Sequence, residues 1–426
     1  MVNKKFIKDT FIYIFTEVIN KAIPFLLLPL LTMFMDPSEF GTVATYMAYT
    51  SVIAILIHLN LVGAVRVNFF HYNKKNLSIY ISNVLLIVIT AAFIISLMII
   101  ILQIILIDKL GLSLFWLLLG VSVVFAQVFT SLNLTLWQVE GNPTYYGIYQ
   151  ILQMSIHIAL VLIFVIVFDW GWKGQLFGQA IAMIIFGIGS IFFIYKRKYL
   201  CFKVNTNYIR EALKFGVPLI PHAISGWFKV GVDRIFLTMI IGTTATGVYA
   251  VGYQLGMIIG VLGVAFNQAF APFLFNKLTD INEDDKLKLV KYTYLYFILV
   301  LLIATIISYF SSFIVDYFLD IKFHNAAEIL PWITFGYAFQ AMYLMVVNYI
   351  FYIKRTLTLS IITFTVGVIH SLLSLFMIKE IGMIGAAYAT TISFFITFIV
   401  VWRLSMKLYP MPWGEIFFRR KENEQY

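Results

Sequence analysis

Twelve apolar runs, each long enough to cross a bilayer, follow one another along this chain of 426 residues and are joined by short loops. A transmembrane helix needs about 20 apolar residues, because no water in the bilayer core can bond an exposed backbone group. With 62% hydrophobic and 12% charged residues, the chain is excluded from the class of soluble proteins. The sequence therefore predicts an all-α polytopic membrane protein. The predicted spans are 10–35, 41–65, 79–107, 112–137, 146–168, 174–195, 213–241, 246–275, 291–315, 329–352, 356–378 and 382–407.

Lysine and arginine are divided unequally between the two sides of the membrane. With the N-terminus inside, 23 of the 30 basic residues fall in cytoplasmic segments and four fall on the opposite side. This bias follows the positive-inside rule and predicts that both termini are cytoplasmic. The net charge of +10 sits in loops between spans, so it favours anionic membrane lipid over nucleic acid as the partner.

The N-terminus begins like a signal peptide, with MVNKK followed by apolar residues. Glu17, Asn20 and Lys21 interrupt the apolar region, and no small-x-small cleavage site follows, so an uncleaved first span is predicted. The single cysteine, Cys201, excludes an intrachain disulfide. No HExxH, CxxC or Walker A pattern occurs, so neither a metal, nor a cofactor, nor direct use of ATP is predicted.

Two weak repeats occur at nearly equal offsets. PSEFGTVATYMAY (37–49) resembles TTATGVYAVGYQL (243–255), an offset of 206, and GWKGQLFGQA (171–180) resembles GMIGAAYATT (382–391), an offset of 211. Two six-helix halves of equal orientation would be related by an axis along the membrane normal.

The repeats predict a division of the chain into two lobes. Residues 1–195 would form an N-terminal lobe, and 213–426 a C-terminal lobe that ends in a short cytoplasmic tail. The basic segment 196–212 would be the cytoplasmic linker between them.

Three charged residues, Lys229, Asp233 and Arg234, lie inside the seventh apolar run. A charge at the centre of a membrane helix costs about 2.5–3.5 kcal/mol, so these side chains should face protein or a watery cavity. On an unbroken helix, Lys229 and Asp233 share a face with Ser225, Gly226 and His222, whereas Arg234 lies about 100° round at its edge.

A matching pair, Glu17 and Lys21, lies one turn apart in the first span, with Pro24 on the same face. Its offset from Lys229 and Asp233 is 212, and its signs are reversed. Opposite charges one turn apart lower the cost of insertion. The two pairs either hold helices together across the bundle or line a transport pathway, and the pathway is favoured because apolar residues would hold helices at lower cost.

Each of the other candidate site residues has a purely structural explanation as well as a functional one. Arg66, at the cytoplasmic end of the second span, either extends to lipid headgroups or adds positive charge to the cavity. His222 is either a hydrogen-bonded buried histidine or a proton carrier. Four prolines interrupt the backbone hydrogen bonds of the two charged spans, either as static kinks or as hinges. They are Pro24, Pro29, Pro218 and Pro221.

Several segments together resemble a known family. They are FGVPLIPHAISGWFKVGVDRIFLTMIIGTTATGVYAVGYQLG (215–256), the DPSEFG turn (36–41), NQAFAPFLF (267–275) and Gly-x-x-Gly-Ala-Ala (382–387). The proline-containing helix, the Asp-Arg pair, the short turn and Gly-x-Tyr resemble bacterial polysaccharide flippases, which export O-antigen and capsule units. These belong to the multidrug/oligosaccharidyl-lipid/polysaccharide exporter superfamily, and the resemblance covers essentially the whole chain.

The resemblance implies an inner-membrane transporter, not an enzyme, with two six-helix lobes around a central cavity. It would move undecaprenyl-diphosphate-linked oligosaccharide from the cytoplasmic to the periplasmic leaflet by alternating access, for O-antigen, lipopolysaccharide or capsule synthesis. Asp233 and Arg234 match the family's Asp-Arg motif. Helix position, rather than the family motif, adds Lys229, Arg66 and Lys21 to Arg234 as residues that would bind the cargo, and adds Glu17 and His222 to Asp233 as residues that would serve coupling. Proton or sodium coupling, a polysaccharide polymerase and a chain-length regulator are further candidates.

Three rival functions remain. A drug or cation antiporter could use the same fold, but the charged stripe holds two bases and one acid. A lipid-linked peptidoglycan-precursor flippase shares both fold and charge. A membrane polysaccharide polymerase is disfavoured, because the chain has no long periplasmic loop.

Overall fold

The computed structural model describes Ile12, Thr16 and residues 23–414, and the described residues form helices joined by short turns. A π-helical stretch, Ile163–Val167, extends the sixth helix, and 3₁₀ turns occupy Val217–Leu219 and Ile321–Phe323. The helices in chain order are α1 (Ile23–Phe34), α2 (Pro37–His58), α3 (Leu61–Asn68), α4 (Lys74–Leu110), α5 (Leu114–Val139), α6 (Pro143–Leu162), α7 (Gly171–Lys196), α8 (Thr206–Gly216), α9 (Ile220–Val230), α10 (Val232–Ile240), α11 (Thr243–Gly256), α12 (Ile258–Leu278), α13 (Glu283–Tyr309), α14 (Ser311–Phe318), α15 (Ala326–Tyr352), α16 (Thr356–Ile381) and α17 (Met383–Leu408).

Ten helical segments among the described residues are long and apolar enough to cross a membrane. They correspond to ten of the twelve predicted spans, and the prediction of an all-α polytopic membrane protein is confirmed. The first span is described in part, as the twelve residues of α1. Glu17 and Lys21 lie outside the described residues.

The seventh predicted span, 213–241, is broken into three helices and a 3₁₀ turn. The chain passes from α8 through the 3₁₀ turn Val217–Leu219 into α9, and Gly231 separates α9 from α10. Pro218 and Pro221 lie at the first break, where each lacks the N–H that a continuous helix requires. The side chain of Trp227 packs over Gly231, where a Cβ would lie 2.4 Å from the indole nitrogen.

The second span is also interrupted, at Leu59 and Asn60, so the predicted helix over 41–65 is two helices, α2 and α3. Both residues adopt left-handed backbone angles, with φ of 46° and 53°. Gly216, at the end of α8, approaches this break so closely that a Cβ would lie 2.0 Å from the Leu59 carbonyl oxygen. The broken ends of two spans therefore pack against each other.

The chain divides into two compact units, Met1–Gly247 and Val248–Tyr426. Helices α8 to α10 belong to the first unit, whereas the predicted lobe division at 196–212 stays a prediction. In the second unit, α15 packs against α12, α13 and α17. The core there joins Leu274, Phe297, Met345, Tyr349 and Phe398.

The basic segment after α7 is tied to the first unit by a carboxylate. Arg197 Nη1 donates to Glu140 Oε2 at 2.9 Å, and Tyr199 donates to the other oxygen of Glu140 at 2.6 Å. The Arg197 guanidinium also lies 5.0 Å from the ring centroid of Trp137. Burial and the hydrogen bond to Glu140 raise the pKa of Tyr199. The predicted linker is therefore a structured segment, and α8 begins within it at Thr206.

Candidate functional site

A cavity of about 410 Å³ lies within the first unit, between α2 and the broken seventh span. At the level of the sequence, its residues occupy the middle of the second and seventh predicted spans. Helix α2 contributes Met47, Ala48, Ser51 and Ile55, and the seventh span contributes Ala223, Trp227, Val230, Gly231 and Arg234.

Arg234 supplies a positive charge to this cavity. It lies in the first turn of α10, and its guanidinium donates to the backbone carbonyl of Val230 one turn earlier. The neighbouring walls are largely apolar, so a charge here acts in a medium of lower dielectric than water. A guanidinium carries several donors in a planar fork that matches phosphate oxygens, and it stays charged throughout the physiological range.

Trp227 fixes the seventh span against α2. Its indole Nε1 donates to the Ala48 carbonyl at 2.9 Å, a contact across 179 residues of sequence. The hydroxyl of Ser51, three residues after Ala48 on α2, donates to the same carbonyl at 2.7 Å. The cavity wall therefore contains a tryptophan ring fixed by a hydrogen bond, next to the small polar side chain of Ser51.

At its N-terminal end, α2 packs closely against the start of α11 through two glycines. A Cβ on Gly41 would lie 1.7 Å from the Thr243 carbonyl oxygen, and a Cβ on Gly247 would lie 1.8 Å from the Pro37 carbonyl oxygen. The two contacts are reciprocal at the repeat offset of 206, which relates Pro37 to Thr243 and Gly41 to Gly247. The weak repeat in the sequence thus has a counterpart in the packing of the first unit.

Three threonine hydroxyls lie between the glycine contacts and the cavity. Thr45 donates to the Gly41 carbonyl at 2.8 Å, and Thr246 donates to the Gly242 carbonyl at 3.0 Å. The Thr238 hydroxyl lies between them, 2.5 Å from that of Thr45 and 2.9 Å from that of Thr246. Hydroxyls that satisfy one another in this way allow two helices to approach closely inside a membrane.

The cavity is lined by a different helix face from the predicted stripe. Ser225 and Asp233 are buried, Lys229 is half-buried and His222 is exposed. The lining residues are spaced from Ala223 to Arg234 along the neighbouring face, so Arg234, placed at the stripe's edge by the sequence, is the predicted site residue that this cavity contains. Pathway roles for Lys229, Asp233 and His222 stay predictions.

Arg66 lies at the last turn of α3, where it is exposed and donates to Gln138 Oε1 at 3.0 Å. This contact ties α3 to α5, and its role in binding cargo stays a prediction. The four prolines stay predicted hinges. Pro218 and Pro221 coincide with the observed break, whereas Pro24 and Pro29 lie within α1.

The sequence did not identify Trp227 or the α2 residues as part of the cavity wall. A tryptophan two residues before a membrane lysine was the available signal, since a buried indole N–H needs an acceptor. Nothing in the α2 sequence distinguishes Met47, Ala48, Ser51 and Ile55 from other apolar or small residues of a span.

A family model described as polysaccharide biosynthesis protein matches residues 6–278, more than half of the chain. The chain is also 26% identical over 413 residues to a Haemophilus influenzae protein named Lsg locus putative protein 1. That match covers 92% of this chain and 98% of the relative.

Two solved structures share the fold. An inward-facing multidrug resistance transporter of the MATE family superimposes with a TM-score of 0.74 at 13% identity, covering 91% of this chain and 94% of that one. The lipid II flippase MurJ, in an inward closed conformation, also gives 0.74, at 14% identity over 94% of this chain and 87% of that one. The chain therefore belongs to the polysaccharide biosynthesis protein family and is a multi-pass membrane protein that shares the fold of these two transporters.

Proposed function

We propose that the protein is a flippase that moves undecaprenyl-diphosphate-linked oligosaccharide from the cytoplasmic to the periplasmic leaflet of the bacterial inner membrane. The observation that carries this proposal is Arg234, a permanent cation lining a 410 Å³ cavity in the membrane-spanning part of the first unit. The family and the relative from the Lsg locus support polysaccharide synthesis as the context. The polymer would be O-antigen, lipopolysaccharide or capsule.

The chemistry of the cavity suits the head of such a lipid. A diphosphate is a dense anion, and an arginine in apolar surroundings pairs with it through two parallel hydrogen bonds. Ser51 and the indole of Trp227 add small polar surface beside the guanidinium. The apolar lining from Met47, Ile55 and Val230 would accept the first part of the lipid tail, while the rest stays in the bilayer.

Movement of the head between leaflets requires the cavity to open on each side in turn. The breaks at Pro218, Pro221 and Gly231 give the seventh span points at which it can bend without breaking further backbone hydrogen bonds. Lys229, Lys21 and Arg66 would extend the positive surface. Protonation of Asp233 or Glu17, or binding of sodium, would reset the empty carrier.

The test is carried out in cells that lack the chromosomal copy and express the protein from a plasmid. Arg234→Gln removes the charge but keeps a polar side chain of similar length. We expect surface polysaccharide to fall at least about tenfold at unchanged membrane abundance, because loss of one charge-assisted contact in a buried site costs about 1.5–3 kcal/mol. Lipid-linked precursor should accumulate in the inner membrane.

Arg210→Gln is the matched control, because Arg210 is an exposed arginine of α8 in the same unit. It should leave the polymer unchanged. Normal surface polymer in Arg234→Gln cells would remove Arg234 from the mechanism. A drug-export phenotype with normal polymer would favour the antiporter instead.

A further inference from the structure

A second cavity, of about 700 Å³, lies in the first unit at the opposite end of α2 from its break at Leu59. It is built by the turn before α2 and the turn between α6 and α7. These turns contain the DPSEFG and GWKG segments, to which the proposed transport function gives no role. The cavity is lined by Asp36, Glu39, Asp169, Trp170, Gly171, Trp172, Lys173 and Phe177.

Glu39 holds the two walls together. One carboxylate oxygen accepts from the Asp36 backbone N–H at 3.1 Å, and the other accepts from the Trp172 backbone N–H at 3.1 Å. Gly171 has a φ of 50°, and a Cβ there would lie 1.8 Å from Glu39 Oε1. The backbone of the cavity is therefore fixed by a half-buried carboxylate that bridges the two turns, and Glu39 acts as a positioning residue.

The aromatic wall is supported from behind. The indole of Trp170 stacks on Phe164 with ring centroids 5.1 Å apart and an interplanar angle of 11°. Trp172 packs on Trp116 at 4.9 Å. Trp170 nevertheless remains 48% exposed, so part of a large flat ring is not covered by the protein. An indole held in this way presents a preformed apolar surface with little entropy left to lose on binding.

Charged groups surround the aromatic wall. Asp36, Asp169 and Lys173 are exposed around the cavity, and the Lys173 ammonium lies 5.8 Å from the centroid of the Trp172 ring. Carboxylates accept hydrogen bonds from neighbouring hydroxyls, while a flat indole packs against the C–H face of a sugar ring. Among the described residues no group of three histidine, cysteine or acidic side chains is placed to hold a metal ion, which argues against a cation as the occupant.

We infer that this cavity binds the saccharide part of the cargo on the extracytoplasmic side, an inference that rests on the proposed function. The volume of 700 Å³ falls within the range of about 300–1,000 Å³ typical of ligand pockets, and exceeds the needs of a single sugar. The turns that form it lie on the side with few basic residues, predicted to face the periplasm. A sugar held there would be kept from returning through the protein.

The test uses the purified full chain in detergent with EDTA present, titrated calorimetrically with chitotriose, cellotriose and maltotriose. We expect at least one trisaccharide to bind with a dissociation constant of about 0.1–10 mM, the range of a small polar ligand. Trp170→Ala should weaken that binding at least about tenfold, because exposed aromatic anchors dominate such sites. Trp170→Phe, which keeps a stacking ring, should stay within about threefold.

Trp332→Ala is the matched control, since Trp332 is 40% exposed in the second unit, and it should bind as the wild type does. Hydrogen exchange of the backbone over 168–173 in the wild type gives a second measurement that needs no variant, and the bound sugar should slow it. Absence of binding by all three trisaccharides, or equal affinity in Trp170→Ala, would overturn the inference.

The two proposals fail separately. Arg234→Gln should bind the trisaccharide as the wild type does, since Arg234 lines the other cavity. Normal surface polymer in Arg234→Gln cells would therefore count against the flippase mechanism alone. Loss of polymer in those cells without trisaccharide binding would count against the extracytoplasmic site alone.

Discussion

Helix α2 packs tightly at one end, against the start of α11, and borders a cavity in its middle, where it faces the seventh span. At the tight end, Gly41 and Gly247 allow the backbones to touch, and the Thr45 and Thr238 hydroxyls approach to 2.5 Å. In the middle, α2 and the seventh span separate around 410 Å³ of space, with Trp227 bridging to Ala48 and Arg234 at the wall. Both regions lie along α2, so the difference lies in the residues that face it from the seventh span and from α11.

Side-chain size and backbone geometry account for the difference. Small residues at one end permit backbone contact, the main source of helix association in lipid, where burial of apolar surface gains little. In the middle, a bulky indole and a guanidinium of the seventh span stand between it and α2. A structural contact and a binding cavity thus lie along one helix, α2, so that each can be altered without the other.

The largest effect is expected at the tight end. Gly41→Ala would place a methyl group 1.7 Å from the Thr243 carbonyl oxygen, so α2 and the start of α11 must separate. We expect a loss of about 3 kcal/mol or more in the free energy of unfolding, comparable to severe overpacking. Gly247→Ala should be equally damaging, because its contact with Pro37 is the reciprocal one. Thermal unfolding of the detergent-purified protein measures both.

Gly226→Ala is the control for these variants, since a Cβ at Gly226 meets no atom within 4 Å. It should melt at or above the wild-type temperature, because alanine favours a helix by about 1 kcal/mol over glycine. Wild-type stability of Gly41→Ala would show that the reciprocal contact does not exist in the protein.

The next largest effect is expected in the cavity between α2 and the seventh span. Ser51→Phe should fill part of the 410 Å³ cavity and reduce export of polysaccharide at least about tenfold, while the melting temperature changes little because Ser51 is exposed. Ser122→Phe is its control, because Ser122 is an exposed α5 serine whose hydroxyl bonds the carbonyl four residues earlier. Surface polymer per molecule of membrane protein is the readout. Full export by Ser51→Phe would mean that cargo does not pass through this cavity.

The smallest effect separates the hydroxyl contacts from the glycine contacts. Thr238→Val removes the hydroxyl between Thr45 and Thr246 but keeps the shape of the side chain. Thr45 and Thr246 keep their backbone acceptors, so we expect a loss of only about 1 kcal/mol. The melting temperature should fall by about 1–3 °C. If Thr238→Val lost as much free energy of unfolding as Gly41→Ala, the hydroxyl contacts rather than the glycine contacts would be the main stabilisation at this end of α2.

The sequence predicted the fold class and ten of the spans, because apolar runs of this length have few alternatives in a membrane. Arg234 lies in the cavity wall, and its role in binding cargo stays a prediction. The face that lines the cavity was not predicted, because charge drew attention to the stripe of Lys229 and Asp233, whereas Ala223, Trp227 and Val230 on the neighbouring face carry no charge. The role of Glu39 was equally hidden, because its partner Trp172 lies 133 residues away and is joined through a backbone N–H.

For the repeat, the structure adds evidence that the sequence alone lacks. Two short matches at similar offsets are weak evidence alone, since glycine and aromatic residues are common in membrane helices. Their register is tested by the reciprocal contacts of Gly41 and Gly247, which depend on backbone atoms that no sequence comparison can place.

The role of Arg234 is tested most directly in proteoliposomes that contain the purified protein and a fluorescent undecaprenyl-diphosphate oligosaccharide. The rate at which the sugar head becomes accessible to an external lectin reports movement between leaflets. Wild-type protein and Arg210→Gln should move the lipid at equal rates, Arg234→Gln at least about tenfold more slowly, and Arg234→Lys at an intermediate rate, since lysine keeps the charge but not the planar fork. Equal rates for the wild type and Arg234→Gln would contradict the proposal that this arginine draws the diphosphate head into the protein.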